Sequence, residues 1–294
     1  MIEHIAKTSR SSKERYPFCI LIPTWNNLEY LQLCVRSILS NSHFENQVVL
    51  IINEGSDKTP EWVEMQEEID FVHARQNIGI CYGLNIARSL VKSDYVVYVN
   101  DDMYLLPDWD LALDREIKNI GHKNFMLSCT MIEPDNTGNP CVVTRDFGHD
   151  IKDFDEEALL KEYPRLQIPD WYGSTWPPNV VHIDLWDLVG GLSIEYSPGM
   201  YSDPDFSRKL YEAGVRYFKG LGNSFAYHFG SKSTFRIKKN RGRKTFLLKW
   251  GISSRSFTRD YLKSGQPFMG PVIIPEPGKF ERIRNRIKRI RSAW

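Results

Sequence analysis

Short apolar runs alternate with segments of helical period over the first 130 residues of this 294-residue chain. Phe18 to Ile22, Val48 to Ile52, Asp70 to Ala74, Tyr95 to Val99 and Phe125 to Met131 read as strands. Between them, Leu28 to Leu39 repeats apolar residues at helical spacing (Leu28, Leu31, Val35, Ile38, Leu39), and Thr59-Pro60 reads as an N-cap followed by proline at the first helical position. Gly79 to Leu90 and Trp109 to Ile120 supply two more helices. Alternation of this kind predicts βα units on a mostly parallel sheet. After Met131 the pattern breaks into a long stretch rich in Asp, Pro and aromatics, through Trp171-Tyr172 and Trp176-Pro177-Pro178; loops this long are functional or disordered. Order returns at Val180 to Val189, Gly190-Gly191 follows, and Asp203 to Ala213 reads as a helix with Asp203 as N-cap and Pro204 behind it.

Composition narrows the class. With 41% apolar and 13% aromatic residues the chain can bury a large core. Its longest apolar runs fall far short of the ~20 residues of a membrane span, and Met1 to Tyr16 lacks the apolar centre of a signal peptide, so no export is expected. Five cysteines, Cys19, Cys34, Cys81, Cys129 and Cys141, without CxxC spacing, read as reduced core thiols of a cytoplasmic protein. The net charge of +1 hides an asymmetry: residues 231–294 hold 18 Lys and Arg against 3 acidic residues, leaving an acidic body. Such a basic tail suits nucleic acid, an anionic membrane or a diphosphate.

Candidate chemistry begins at Asn100-Asp101-Asp102, directly after the apolar run Tyr95 to Val99. Ligands of open α/β sheets gather at the carboxyl ends of strands, and a hard divalent cation takes carboxylate, phosphate and water oxygens. An acidic pair after a strand is also an ordinary turn, so the weight rests on the other segments. Ile22-Pro23-Thr24-Trp25-Asn26-Asn27, Ile52-Asn53-Glu54-Gly55-Ser56, Asn77-Ile78-Gly79 with Asn85, and Asn100-Asp101-Asp102 resemble, in order, the "PTYN", "DDGS", "NxGxxxAxN" and DXD elements of the family 2 glycosyltransferases. Gly190-Gly191, Tyr201 to Phe206 and Leu210 to Gly214 are similar to that family's "GGFDE…EDxDLxxRLxxAG", and His228 in Tyr227-His228-Phe229-Gly230-Ser231 is similar to its late histidine. The resemblance runs from about Phe18 to Ser231. It departs at Asn53, Gly83, Asn100, Ser202 and Lys209, where the family usually carries Asp, Ala, Asp, Glu and Arg.

The resemblance implies a GT-A fold, α/β with a Rossmann-like mostly parallel sheet flanked by helices, over residues 1–230: a nucleotide-binding half at 17–131 and an acceptor and catalytic half at 132–230. Residues 231–294 form a basic C-terminal extension. It implies a metal-dependent, inverting transfer of a sugar from a nucleotide diphosphate, UDP being the expected nucleotide, to a glycan or lipid-linked acceptor in cell-surface polysaccharide synthesis. Carried over by position, Pro23, Thr24, Trp25, Asn53, Asn77 and Gly79 bind the nucleotide, Asn100 and Asp101 face the ribose and diphosphate, Asp102 and His228 hold Mn2+ or Mg2+, and Asp203 is the catalytic base. An amide at Asn53 can still make in-plane bonds to a base. His228 reads equally as a packed, hydrogen-bonded histidine. Trp171, Tyr172 and Trp176 suit an acceptor surface or the core.

In the tail, Phe280, Ile283, Ile287, Ile290 and Trp294 recur at spacings of three and four among Lys and Arg. A basic amphipathic helix over 279–294 can lie on an anionic membrane at its inner face or pack on the body; no nucleic-acid partner is expected. The cluster from Lys232 to Lys244 reads as a lid over the diphosphate or a solvated loop. Two rival functions carry the same fold elements: a sugar-1-phosphate nucleotidyltransferase, for which no Gly-rich basic loop is seen at Ile22 to Leu28, and a non-catalytic sugar-nucleotide or glycan-binding protein.

Overall fold

Neighbouring residues of the first two long strands pack into opposite cores. In β2 (Cys19–Thr24), after the short β1 (Ile5–Thr8), Cys19 and Leu21 join one hydrophobic cluster while Ile20 and Ile22 join another; in β3 (Gln47–Asn53), Val49 and Ile51 join the first and Val48, Leu50 and Ile52 the second. Side chains alternate across a strand, and covering both faces turns the alternation into continuous apolar runs. This computed structural model describes residues 4–230 and 240–275, with positions 285, 287, 289 and 290 of the terminal segment.

The remaining strands are β4 (Asp70–Ala74), β5 (Tyr95–Tyr98), β6 (Met103–Leu105), β7 (Phe125–Glu133), β8 (Val142–Thr144), β9 (Trp171–Tyr172), β10 (Asn179–His182) and β11 (Tyr217–His228). They form one sheet in the order β1-β4-β3-β2-β5-β10-β7-β11-β6, with β8 beside β7 and β9 beside β11. β4, β3, β2 and β5 run parallel. β10 then lies antiparallel between β5 and β7, and β6 is antiparallel to β11. The first half thus has the parallel βα pattern read from the sequence, and the second half is mixed.

The helices are α1 (Leu28–Asn41), α2 (Thr59–Glu64), α3 (Gly79–Ala87), α4 (Trp109–Ile120), α5 (Glu156–Glu162), α6 (Ile183–Val189), α7 (Ser202–Glu212), α8 (Gly242–Trp250) and the short α9 (Ser254–Ser256). α1 and α4 bury Leu31, Val35, Trp109 and Leu113 on one face of the sheet, and α3, α6, α7 and α8 bury Leu84, Trp186, Leu210 and Phe246 on the other. Two expected helix starts shift. Lys58, in left-handed backbone at φ 71°, precedes α2, so Thr59 is already helical and its hydroxyl donates to Asp57 at 2.6 Å. Tyr201, at φ 73°, precedes α7, which places Asp203 inside the first turn and not at its cap.

Gly83 explains one departure from the family pattern. A β-carbon there would stand 2.5 Å from Cγ2 of Ile51, a branched methyl fixed in the buried β3. We expect Gly83→Ala to cost about 1–3 kcal/mol through overpacking, read as a lowered denaturation midpoint; an unchanged midpoint would show that the sheet yields there.

The described part of the basic extension shares the core of the body. Phe246, Phe257, Leu262 and Val272 cluster with Leu210, Tyr211 and Phe218, and the Arg208 guanidinium lies 5.0–5.8 Å from the rings of Tyr211, Trp250, Phe257 and Tyr261. The fully buried Asp205 accepts from Ser193 at 2.6 Å and from Trp250 Nε1 at 2.7 Å, with Lys249 Nζ at 3.0 Å. Asp205→Ala strands these donors, and we expect a loss of roughly 3 kcal/mol in chemical denaturation; a loss below about 0.5 kcal/mol would mean that water replaces the carboxylate.

Candidate active site

Each parallel strand ends beside the same cavity, of about 620 Å³. β2 delivers Pro23, Thr24 and Trp25, β3 delivers Asn53, the turn after β4 delivers Asn77 and Gly79, and the turn after β5 delivers Asn100, Asp101 and Asp102. Asp203 enters from the first turn of α7 and His228 from the end of β11. All eleven residues to which the resemblance assigned nucleotide, metal or base roles line this one space. Trp176, Met200 and Tyr201 add apolar wall, and Ser254, Arg255 and Thr258 of the extension complete it.

Local bonds hold the strand-end side of the cavity in shape. Trp25 Nε1 donates to Glu54 at 2.7 Å, and the Ser56 amide donates to Asn26 at 2.8 Å, so the turns after β2 and β3 brace each other. Asn53 is buried and its Oδ1 accepts the Ile78 amide at 3.1 Å, tying β3 to the next turn. In that turn Asn77 accepts the Gly79 amide at 2.8 Å, and Gly79 sits at φ +77°, with Pro198 Cα only 2.8 Å from where a β-carbon would be. Glycine is the residue that meets both demands.

Some sequence-level candidates lie elsewhere. Asn85 is outside the lining; its amide donates to the Leu192 carbonyl at 2.7 Å and its oxygen accepts the Leu192 amide at 2.8 Å, stapling the Gly190-Gly191 turn. Lys209 donates to the carbonyls of Val189 and Gly191 and so caps α6. Trp171 and Tyr172 are buried in β9; the Trp171 indole covers Gly220 and donates to Thr130 at 2.8 Å. Of the three acceptor-side aromatics, Trp176 alone reaches the cavity. Arg241, Arg243 and Lys244 stand at the start of α8, outside the lining, and Lys232, Arg236, Lys238 and Lys239 lie outside the described residues.

Register explains the second cluster. On β11, His228 pairs with Met103 of β6, next to Asp102, while Tyr227 pairs with Ile132 of β7, next to Glu133. His228 Nε2 therefore stands 3.5 Å from Asp102 Oδ1, and Nδ1 stands 2.8 Å from Glu133 Oε1. Burial opposes charge on this imidazole, yet the two carboxylates raise its pKa to about 10. Glu133 was not foreseen, because the β7 run was read to end at Met131.

These donors fit a divalent cation shared with a diphosphate. Neighbouring oxygens around a magnesium-like ion lie about 3 Å apart, given bonds of about 2.1 Å at right angles, near the Asp102–His228 separation. Among the described residues no three His, Cys, Asp or Glu side chains form a self-sufficient metal site, as expected where substrate phosphates supply ligands. Asp203 differs in kind. Desolvation pushes its pKa up to about 7, against a hydrogen bond from Ser202, despite its place at a helix start, where carboxylates are ordinarily favoured as anions. A carboxyl poised near neutrality is suited to proton transfer.

Residues 19–161, just under half of the chain, match the family model "Glycosyl transferase family 2". Glycosyltransferase GlyA of Streptococcus pneumoniae is 24% identical over 103 residues, 33% of this chain and 14% of that protein, and an uncharacterized glycosyltransferase, the MG025 homolog of Mycoplasma pneumoniae, is 29% identical over 115 residues, 37% and 38%. The matches thus span well under half of either relative. Among solved structures, TarS of S. aureus superposes with a TM-score of 0.55 at 16% identity, covering 79% of this chain and 39% of TarS. GalNAc-T7, solved with UDP, GalNAc and Mn2+, superposes with 0.58 at 10% identity, covering 84% and 50%. Over its matched segment the chain is therefore similar to the family 2 glycosyltransferases, and its fold is that of the GT-A structures.

Proposed function

We propose that this chain transfers a sugar, with inversion, from a nucleotide diphosphate to an acceptor hydroxyl. The observation that carries the reading is the convergence of the four strand-end segments, Asp203 and His228 on one cavity. Pro23, Thr24, Trp25, Asn53, Asn77 and Gly79 would hold the nucleoside, Asn100 and Asp101 the ribose and diphosphate, and Asp102 with His228 the divalent cation. When bound, Mn2+ or Mg2+ neutralises charge on the departing diphosphate. Asp203 takes the proton of the acceptor hydroxyl as its oxygen bonds to the anomeric carbon; the carbon–oxygen bond to the diphosphate breaks, and its electron pair leaves with the nucleotide. UDP is the favoured nucleotide, since the similarly folded GalNAc-T7 was solved with UDP and Mn2+.

The acceptor we propose is a glycan or lipid-linked glycan of the cell surface, handled at the inner face of a membrane. Among the described residues no helix is long and apolar enough to cross a membrane. Of the terminal stripe, Ile287 and Ile290 are 45% and 55% exposed while Asn285 is buried, which leaves apolar groups turned outward for an anionic surface. Deleting residues 279–294 should abolish sedimentation with vesicles containing phosphatidylserine; unchanged sedimentation would remove the membrane role.

The donor is tested by thermal shift with UDP, GDP, dTDP and CDP sugars, each with and without Mn2+, because a ligand that binds only the folded state raises apparent stability. A metal-dependent shift with one nucleotide is expected. No shift with any of them would favour a protein that keeps the fold without turnover.

A further inference from the structure

We infer that Glu133 is a positioning residue for the metal, holding the His228 imidazole in the one tautomer and orientation that offers Nε2 beside Asp102. The inference rests on the reading that Asp102 and His228 bind the cation. It comes from strand register: β7, β11 and β6 are adjacent, and their facing ends line up Glu133, His228 and Asp102. The imidazole lies between two carboxylates, its Nδ1 2.8 Å from Glu133 and its Nε2 3.5 Å from Asp102, with the side chains of His228 and Glu133 only 19% and 14% exposed.

A neutral imidazole has one N–H and one lone pair. With a cation in place of a proton on Nε2 and Nδ1–H donated to Glu133, the lone pair sits on Nε2, toward Asp102 and the cavity. Carboxylates in this position fix ring orientation and raise the basicity of a ligating histidine. Glu133 is itself held: its backbone carbonyl accepts the Arg145 amide at 2.9 Å, Thr144 of β8 pairs with it, and Oε2 accepts from Thr137 at 3.4 Å. The backbone that carries Glu133 is therefore anchored on the edge of β7 away from β11, and rotation of the imidazole would break its 2.8 Å contact with the carboxylate.

The test is Mn2+ affinity, measured by electron paramagnetic resonance with Mn2+ alone and with UDP, with 14N modulation reporting nitrogen ligation. Glu133→Ala should weaken Mn2+ binding about 10–100-fold and reduce the nitrogen signal, while UDP binding in EDTA stays at the wild-type value. Glu133→Gln, which keeps an acceptor oxygen, should fall between the two and also serves if the alanine variant folds poorly. Both variants matching wild type, while His228→Ala loses the nitrogen signal, would reduce Glu133 to a structural ion pair and overturn the inference. A wild-type protein that binds Mn2+ without nitrogen modulation would instead sink the underlying assignment of His228.

Discussion

Asp203→Asn should lower sugar-transfer turnover by about 10²–10⁴-fold, the range supplied by a positioned general base, while nucleotide binding with Mn2+ should stay within a few-fold of wild type. On the proposed mechanism the wild-type rate should rise with pH along a limb centred near 7, since a base must be deprotonated to accept the hydroxyl proton and the Asp203 pKa is about 7. Stability moves the other way. The folded-state pKa lies above the ordinary 3.8, so Asp203 stabilises the fold when protonated, and that contribution is lost as pH rises from about 4 through 7. The asparagine variant has no such loss, and its melting temperature should draw level with or above that of wild type by pH 8. A variant that is both inactive and less stable at pH 8 would mean that Asp203 is structural; full turnover would remove it from the mechanism.

Asp102→Ala is the second large effect. It removes the buried carboxylate of the candidate metal pair, 3.5 Å from His228, and metal stabilisation of a leaving diphosphate amounts to several kcal/mol. Turnover should fall about a thousandfold. Nucleotide affinity should lose its dependence on Mn2+, while affinity in EDTA stays near wild type. EDTA on the wild-type protein should reproduce the variant. If Asp102→Ala binds the nucleotide with the same Mn2+ dependence as wild type, the metal is held elsewhere.

The parallel half of the sheet was legible because its information is local. Pro23, Asn53, Asn77 and Asn100 each follow a buried apolar run directly, and a parallel sheet brings all such carboxyl ends to one edge. Asp70–Ala74 and Trp109–Ile120 were even read to the residue. What failed was non-local. Glu133 joins the site through pairing of β7 with β11, and no spacing in the chain announces that register. Trp171 was left between an acceptor surface and the core, and what decides for the core is a bare glycine, Gly220, on a neighbouring strand that gives its indole a buried seat. Arg255 reaches the cavity through packing of the extension on α7, again a long-range contact.

Asn85 and Asp203 show a different limit. The motif pointed both toward the cavity, but only Asp203 lines it, and the local roles of both depend on backbone angles that sequence patterns do not carry. Gly191 at φ +60° brings its backbone against Asn85, and Tyr201 at φ 73° takes the position before α7 that Asp203 was expected to fill. Holding a non-glycine residue in left-handed backbone costs roughly 1–3 kcal/mol, and such strain gathers at functional sites. Tyr201 is itself part of the cavity wall.

The most direct test of inverting transfer is proton NMR of the anomeric centre during turnover, with the donor selected by thermal shift, Mn2+, and either acceptor glycans or water. The account predicts release of the nucleoside diphosphate and a first-formed product whose anomeric configuration is opposite to that of the donor. A product that keeps the donor configuration, or no release from any donor that binds, would contradict it.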